Sequence, residues 1–274
     1  MTATAPPAAT PAAAASTEGP AAGTAPSRSR RRVTDALAGL TAAALGAVAW
    51  QLISLTSDGW VPGLQEVAAS VVELLGDGEF YGDAVVSLRR VLVVLVTATV
   101  AGLALGLLAG FSSRFDSFLR PILVTGLAIP DPVYIILVIL VLGISETSGI
   151  VALTLAVVPL VANVVIGSVQ ARDKGLDEMA KTYRLSRVDY LHHVLSWQVR
   201  PAVVAALRTS FAFSWKLVVL METLTQPDGV GARIYESFRF LRPADMVAYA
   251  LVFIALMRLI ELVALRRLDR STTF

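Results

Sequence analysis

Long apolar runs separated by short polar breaks set the pattern of this chain. The runs extend from Val33 to Leu55, from Ser87 to Phe111, from beyond Arg120 to Leu142, from Gly149 to Gly167, from Val203 to Leu224 and from Met246 to Leu265. A helix of roughly 20 apolar residues crosses a hydrocarbon core of about 30 Å, so each run is long enough, or nearly so, to span a bilayer. The pattern predicts an all-α, polytopic membrane protein with six transmembrane helices.

Two stretches break the rule. Between Pro62 and Asp77, Leu64, Val67, Ala68, Val71, Val72 and Leu75 fall on one helical face and Glu66, Ser70, Glu73 and Asp77 on the other. Such a segment is too polar to span and is expected to lie along a membrane surface as an amphipathic helix. The second exception, Leu176 to Pro201, is a charged island between apolar neighbours. Asp177 can cap a helix over Glu178 to Tyr183, and Ser186 with Asp189 forms a capping-box pattern opening a second helix through Val194.

Charge orients the spans. Arg28, Arg30, Arg31 and Arg32 precede the first run, and Arg266, Arg267 and Arg270 follow the last. With both termini in the cytoplasm, Arg114, Arg120, Arg172, Lys174, Lys181, Arg184, Arg187 and Arg200 also fall inside, leaving mainly Arg233, Arg239 and Arg242 outside. That asymmetry follows the excess of Lys and Arg in cytoplasmic loops. Arg89 and Arg90 run against the tally, as arginines that snorkel to the outer interface. Residues 1–32, rich in Ala, Pro, Thr and Ser, are expected to form a disordered cytoplasmic tail; because their arginines follow the Ala-rich part, they do not resemble a signal peptide. The organisation expected is a tail over 1–32, a first span and surface helix over 33–80, a membrane core over 81–267 with a loop at 172–200, and a short tail over 268–274.

Within the spans, Gly102, Gly106 and Gly110 lie four apart and offer bare backbone for close helix packing. Pro130-Asp131-Pro132 is expected to break or kink the third span. Asp131, Asn163, Lys216 and Glu222 are the polar groups at membrane depth. Ionisable groups there cost about 2.5–3.5 kcal/mol by insertion scales, so they face a bundle interior or a cavity. Asp131 and Lys216 admit two readings: they line a translocation path, with Lys216 drawing in an anion, or they pair as interhelical glue. Glu222 can line the path, pair with Lys216 or reach the outer interface, and Asn163 suits a helix-to-helix hydrogen bond or the path.

Composition narrows the function. Of 274 residues, 55% are apolar and 16% charged, and the mean hydropathy is +0.69; soluble domains carry about a quarter charged residues. A net charge of +2 could suggest nucleic acid, but the basic residues sit in loops beside apolar spans, where bilayer orientation accounts for them. Without cysteine there is no disulfide or thiolate site. His192 and His193 point about 100° apart on a helix and make a poor chelate, so no metal or cofactor is expected. No Ser-His-Asp set is evident, and no Gly-x-x-x-x-Gly-Lys-Ser/Thr phosphate cradle occurs.

The island resembles the signature loop of the inner-membrane permeases of binding-protein-dependent ABC importers. Their loop opens Glu-Ala-Ala, continues three residues to a Gly and later carries Leu-Pro; here it reads Glu178-Met179-Ala180, Lys181-Thr182-Tyr183, Arg184, then Leu185-Ser186-Arg187, with Pro201 at the second proline position. Val61-Pro62-Gly63-Leu64-Gln65-Glu66-Val67, Ser87-Leu88-Arg89-Arg90-Val91-Leu92, Gly102-Leu103-Ala104-Leu105-Gly106, Phe213-Ser214-Trp215 and Gly229-Val230-Gly231 are similar to the branch importing nitrate, taurine, alkanesulfonates and related small solutes. The resemblance covers about Asp58 to Arg267. It implies the type-1 ABC transmembrane fold in a bacterial plasma membrane, a second permease copy forming a homodimer, a cytoplasmic ATPase pair that hydrolyses ATP on separate chains, and an extracytoplasmic solute-binding protein. It also implies that Glu178, Met179, Ala180, Arg184, Ser186 and Arg187 couple to the ATPase. Three departures stand out: Arg184 replaces the loop Gly where the turn can require positive φ, Met179 replaces an Ala, and Trp197 stands at the first proline position. The competing readings are an ion-driven secondary transporter, which would favour paired symmetric halves that the sequence does not display, and an intramembrane hydrolase, which would need a nucleophile and base.

Overall fold

The computed structural model describes residues 28–57 and 59–270, with side chains described over 37–57 and 59–263. Most of the expected N-terminal tail therefore lies outside the described residues, as do residues 271–274. Helix α1 (Arg28–Thr56) starts at the arginines themselves, ahead of the Val33 expected from hydropathy. The chain divides into two units at Ala49–Trp50. In the first, Leu37, Leu40, Leu45 and Val48 are exposed, as side chains facing lipid would be.

The second unit contains the remaining helices. Trp50 donates from Nε1 to the Pro62 carbonyl at 2.9 Å, and Gln51 Oε1 accepts from the Leu64 amide at 3.1 Å. These bonds seat the start of α2 (Leu64–Gly76), the amphipathic helix, where Glu66 also accepts from the Gly63 amide at 3.1 Å. Asp77 then caps α3 (Gly78–Phe111). This helix has 34 residues, about 51 Å at 1.5 Å per residue, so it exceeds the hydrocarbon thickness and its first turns project beyond the apolar run that begins at Ser87.

The third span is bent into two helices. Helix α4 (Ser113–Ala128) ends before Pro130, α5 (Asp131–Leu142) starts after it, and the two meet at 103°. Pro130 has no N–H and drives Ile129 to extended φ and ψ of −73° and 126°. Tyr134 Oη donates to the Gly126 carbonyl at 2.8 Å, satisfying an acceptor that the break leaves open. The Pro-Asp-Pro break is thus sharper than a kink within one span. Among the described residues five helices are individually long and apolar enough to cross a membrane, and the expected six are reached when the bent pair counts as one.

Helix α6 (Glu146–Gln170) forms the centre, packing on α3, α4, α5 and α9. After it come α7 (Lys174–Thr182), α8 (Arg187–Asp189), a π-helical turn (Tyr190–Leu195), α9 (Ser196–Thr225), α10 (Val230–Arg239) and α11 (Pro243–Arg270). The segment Arg187–Thr225 runs through as one helix of 39 residues, so the second helix of the island and the fifth span, expected as separate elements, are continuous.

The α3–α6 seam shows why three glycines recur every four residues. A Cβ on Gly102 would stand 2.5 Å from Val161 Cβ, one on Gly106 2.6 Å from Val165 Cβ and one on Gly110 2.6 Å from Val169 Cβ. The valines repeat at the same interval, so two i, i+4 rows interlock with no room for a methyl group. Val161, Val165 and Val169 are buried together with Val91, Val94, Ala98 and Leu153 in the main apolar core. Gly106→Val is expected to cost about 1–3 kcal/mol of stability through overpacking. Thermal unfolding in detergent should show a lowered midpoint that a second substitution, Val165→Ala, partly restores.

Candidate functional site

Two polar clusters stand at opposite ends of the bundle, the charged hairpin and a buried ion network. Helices α3 and α6 end together, where Arg172 lies over the Phe111 ring at 5.1 Å, and α7 folds against that end. Asp173 caps α7 by accepting from the Gly175 amide at 2.7 Å, so the helix starts earlier than the Asp177 cap expected from sequence. Asp177 has a different task. It accepts from Arg172 Nε at 2.8 Å and from Tyr190 Oη at 2.6 Å, while Arg172 Nη1 donates to the Val169 carbonyl at 2.7 Å. Burial acts to raise the Asp177 carboxyl, but the hydrogen bonds from Tyr190 and Arg172 and the charges of Arg172 and Lys181 outweigh it and hold the group below the usual carboxylate range.

The turn after α7 closes by paired reverse bonds: the Leu185 amide donates to the Ala180 carbonyl and the Arg184 amide to the Lys181 carbonyl, both at 3.0 Å. This is the Schellman arrangement, which places the residue at Arg184 in the left-handed region. Its φ is 52°, the positive value the replaced Gly suggested. Ser186 Oγ accepts from the Asp189 amide at 3.2 Å and donates to Asp189 Oδ2 at 2.6 Å. The second half of the capping box is redirected: the carboxylate takes the hydroxyl proton instead of the Ser186 backbone N–H. Of the residues expected to couple, Glu178, Met179, Arg184, Ser186 and Arg187 are exposed and Ala180 is buried under the turn. Tyr183 and Val188, 75% and 74% exposed, are apolar groups left open on the same hairpin.

At the opposite end, α3, α9 and α10 are joined by a buried charge network. Arg90 is 1% exposed and Glu222 0%. Arg90 Nη1 donates to Glu222 Oε1 at 2.9 Å and to the Asp228 carbonyl at 3.0 Å, and Nη2 to Asp228 Oδ1 at 2.6 Å. Ser87 Oγ lies 2.8 and 2.9 Å from the two Glu222 oxygens and accepts from the Val230 amide at 2.9 Å. The Gly231 amide donates to Glu222 Oε2 at 2.9 Å, and the Gly229 amide to Asp83 Oδ1 at 3.0 Å. Asp83 Oδ2 also accepts from Arg233 Nε at 2.7 Å. Three consecutive amides at the start of α10 therefore find acceptors on the other two helices, where the helix dipole favours negative charge. Both glycines are required by space: a Cβ on Gly229 would stand 2.5 Å from the Glu222 carboxyl, and one on Gly231 2.3 Å from the Val219 carbonyl.

The four polar residues of the spans are not brought together. Glu222 belongs to the network and has no exposed surface. Asp131 borders a recess of about 320 Å³ walled by Gly126, Pro130, Leu160, Phe213 and Leu217. Lys216 is exposed, with Nζ 5.8 Å from the Trp215 ring centre, and among the described residues it has no ion pair with Asp131 or Glu222. Asn163 donates to the Pro159 carbonyl of its own helix at 2.9 Å, in place of a bond to a neighbouring helix. Among the described residues no three His, Asp or Glu side chains are grouped to hold a metal.

Sequence reasoning did not find Arg90, Asp83, Asp228 or the Asp177–Tyr190 bond. Arg90 was expected to reach the interface, yet it points inward beside Arg89, which pairs with Glu146 at the surface. The available signals were the Arg-Arg pair at a span end, the distant Gly229-Val230-Gly231, and Glu222 in an apolar run.

An all-α bundle with a bent span and a charged hairpin defines a polytopic membrane protein. The chain belongs to the family described as binding-protein-dependent transport system inner membrane component, whose model matches residues 102–272. It is therefore an ABC importer permease of the plasma membrane, with several spans. It is 26% identical over 240 residues to the taurine transport system permease protein of Escherichia coli (strain K12), covering 85% of this chain and 87% of that one. It is likewise 26% identical over 208 residues to the putative aliphatic sulfonates transport permease protein of Bacillus subtilis (strain 168), covering 74% and 75%. Among solved structures, a methionine ABC transporter in an inward-facing conformation matches 72% of this chain and 97% of its own with a TM-score of 0.64 at 18% identity, a likeness of fold.

Two outcomes follow from the geometry. Arg90→Met strands the Glu222 carboxylate in the core and is expected to cost about 3–5 kcal/mol, whereas Arg90→Met with Glu222→Met recovers most of it; denaturant unfolding in detergent of the two variants decides. Because the Asp177 carboxyl is held low, its contribution to α7 is complete above the ordinary carboxylate pKa of about 3.9 and is lost as pH falls through the lower folded value. Hydrogen exchange over 174–190, corrected for intrinsic rates, should rise on acidification in the native chain and be already raised and pH-flat in Asp177→Asn.

Proposed function

We propose that the chain forms half of the translocation path of an importer for a small anion, and that α7 is the element through which a separate ATPase moves it. One observation carries the coupling role: the hairpin is tied down on its inner side by Arg172, Asp177 and Tyr190, yet turns Met179, Tyr183 and Val188 outward with no covering element among the described residues. A surface that is rigid and apolar at its tip transmits displacement from whatever seats on it. Glu178, Arg184, Ser186 and Arg187 surround that tip and set its polar contacts, with Ala180 packing the turn beneath.

In this reading both termini and the hairpin lie in the cytoplasm, a second copy of the chain completes the path, and an extracytoplasmic binding protein delivers the solute. Lys216 is the group that attracts the solute, because an exposed ammonium at membrane depth is stable only beside water or an anion. Asp131, at the broken span, borders the same face of α9 through Phe213. Asn163 and Glu222 act from within the walls, Asn163 by holding the backbone near Pro159 and Glu222 by anchoring α9. The names of the taurine and sulfonate relatives support an anionic group on the solute.

The test is ATP-driven uptake of taurine, nitrate and alkanesulfonates by proteoliposomes holding the permease, its ATPase and its binding protein. Lys216→Ala is expected to reduce uptake at least tenfold with ATPase co-purification unchanged, and Tyr183→Asp to lose co-purification. Accumulation driven by an ion gradient in the absence of the ATPase would overturn the proposal.

A further inference from the structure

Between the inner face of α7 and the ends of α3 and α6 lies a cavity of about 680 Å³, walled by Phe111, Arg172, Asp177, Lys181, Arg187 and Tyr190, with Ala180, Leu185 and Leu191 completing it. Apart from Arg187, which borders both, it is separate from the outward surface of the hairpin: Asp177, Ala180 and Lys181 share one side of α7, while Glu178, Met179 and Thr182 occupy the other. Three cations and one carboxylate face the space. Asp177 accepts from Arg172 and Tyr190 and also feels the charge of Lys181, so one carboxylate stands against three cations. Lys181 and Arg187 are exposed and, among the described residues, engage no carboxylate in a salt bridge, although they border the same cavity from two successive helices. Two like charges on either side of one turn repel, and the arrangement is relieved by an anion between them.

Two further features identify the anion's carrier. The cavity sits at the ends of two membrane helices, at Phe111, the last residue of α3, and Arg172, just beyond the end of α6. A span that ends at the edge of its apolar run brings its last turn toward the headgroups of a bilayer. Its lining is mixed: beside the cations stand Phe111 and Leu191, both exposed, and the partly buried Tyr190, which suit acyl chain and glycerol better than a fully hydrated ion. Basic recesses between transmembrane helices at a membrane face bind phosphate-bearing headgroups.

We propose that this cavity is a site for a phosphate group, supplied by the headgroup of an anionic phospholipid held between Lys181 and Arg187 with its chains along Phe111 and Leu191. A lipid seated there bridges α7 to the next helix and stiffens the hairpin from its inner side, so the lipid composition of the membrane sets how firmly the coupling element is held. The proposal does not depend on which solute is carried or on what seats on the outer face of α7.

The experiment uses the full-length chain, with no ATPase or solute present. Native mass spectrometry counts retained phosphatidylglycerol against phosphatidylcholine, and thermal unfolding is followed in nanodiscs of each lipid. The native chain should retain phosphatidylglycerol selectively and unfold at higher temperature in it, since a ligand bound by the folded state alone raises the midpoint. Lys181→Gln with Arg187→Gln should weaken that retention roughly 30-fold, at about fivefold for each basic charge near the surface, while Lys174→Gln, on α7 but outside the cavity, should leave it intact. Equal retention of the two lipids by the native chain, with no difference in midpoint, overturns the proposal even if the double variant fails to fold. Stabilisation by inorganic phosphate alone, with no preference for phosphatidylglycerol, also overturns it by assigning the site to a free ion.

Discussion

The buried ion pair between Arg90 and Glu222 is the constraint that organises the rest of the bundle. A carboxylate and a guanidinium removed from water each lose several kcal/mol of hydration, which mutual attraction recovers only when the remaining donors and acceptors are filled. Here Glu222 also receives Ser87 and the Gly231 amide, and Arg90 also reaches the Asp228 carbonyl and carboxylate. Those partners come from three helices, so satisfying one charge pair fixes α3, α9 and α10 against each other. The requirement reaches into backbone choice, because the amides can approach the carboxylate only where residues 229 and 231 carry no Cβ.

From that fixed end, two continuous elements carry position to the hairpin. Arg187–Thr225, 39 residues or about 58 Å of helix, leads directly from the network to the turn at Ser186. Alongside it the glycine and valine rows of α3 and α6 leave no free volume through which the helices could slide, and interiors packed this closely transmit displacement as bodies. The softer places are the Pro-Asp-Pro break between α4 and α5 and the π-helical turn at Tyr190–Leu195. A domain built from stiff rods with two defined irregularities has few ways to move.

Much of this was legible in the chain. Periodicity located the spans and the amphipathic helix because lipid demands long apolar runs and surface burial demands a single apolar face. The Gly102-Gly106-Gly110 spacing announced a close helix contact, and Arg184 in place of the loop Gly announced a positive φ. What hydropathy could not convey was partnership across distance. Arg90 and Glu222 are 132 positions apart, and an arginine at a span end reads as interfacial until the acceptors that draw it inward are placed beside it. Similarly, Asp177 has the residue type and position of a cap, and only the approach of Arg172 and Tyr190 turns it into a cross-brace. Helix boundaries were displaced for the same reason: α3 extends past its apolar run because Asp83, Ser87 and Arg90 are stabilised by other helices and not by lipid.

The turn at Arg184 shows how stiffness at the hairpin is obtained. A non-glycine residue at φ of 52° carries strain of about 1–2 kcal/mol, and such strain persists only where the surroundings over-determine the conformation. Here the Tyr183, Arg184 and Leu185 amides all return to carbonyls within α7, Ala180 is buried beneath the turn, and Ser186 caps the helix that follows. Glycine would relieve the strain but would widen the conformations open to the turn once it is released. Arginine narrows them and places a cation at the tip, so the same side chain that costs energy in the folded state limits the conformations the turn can take when it opens.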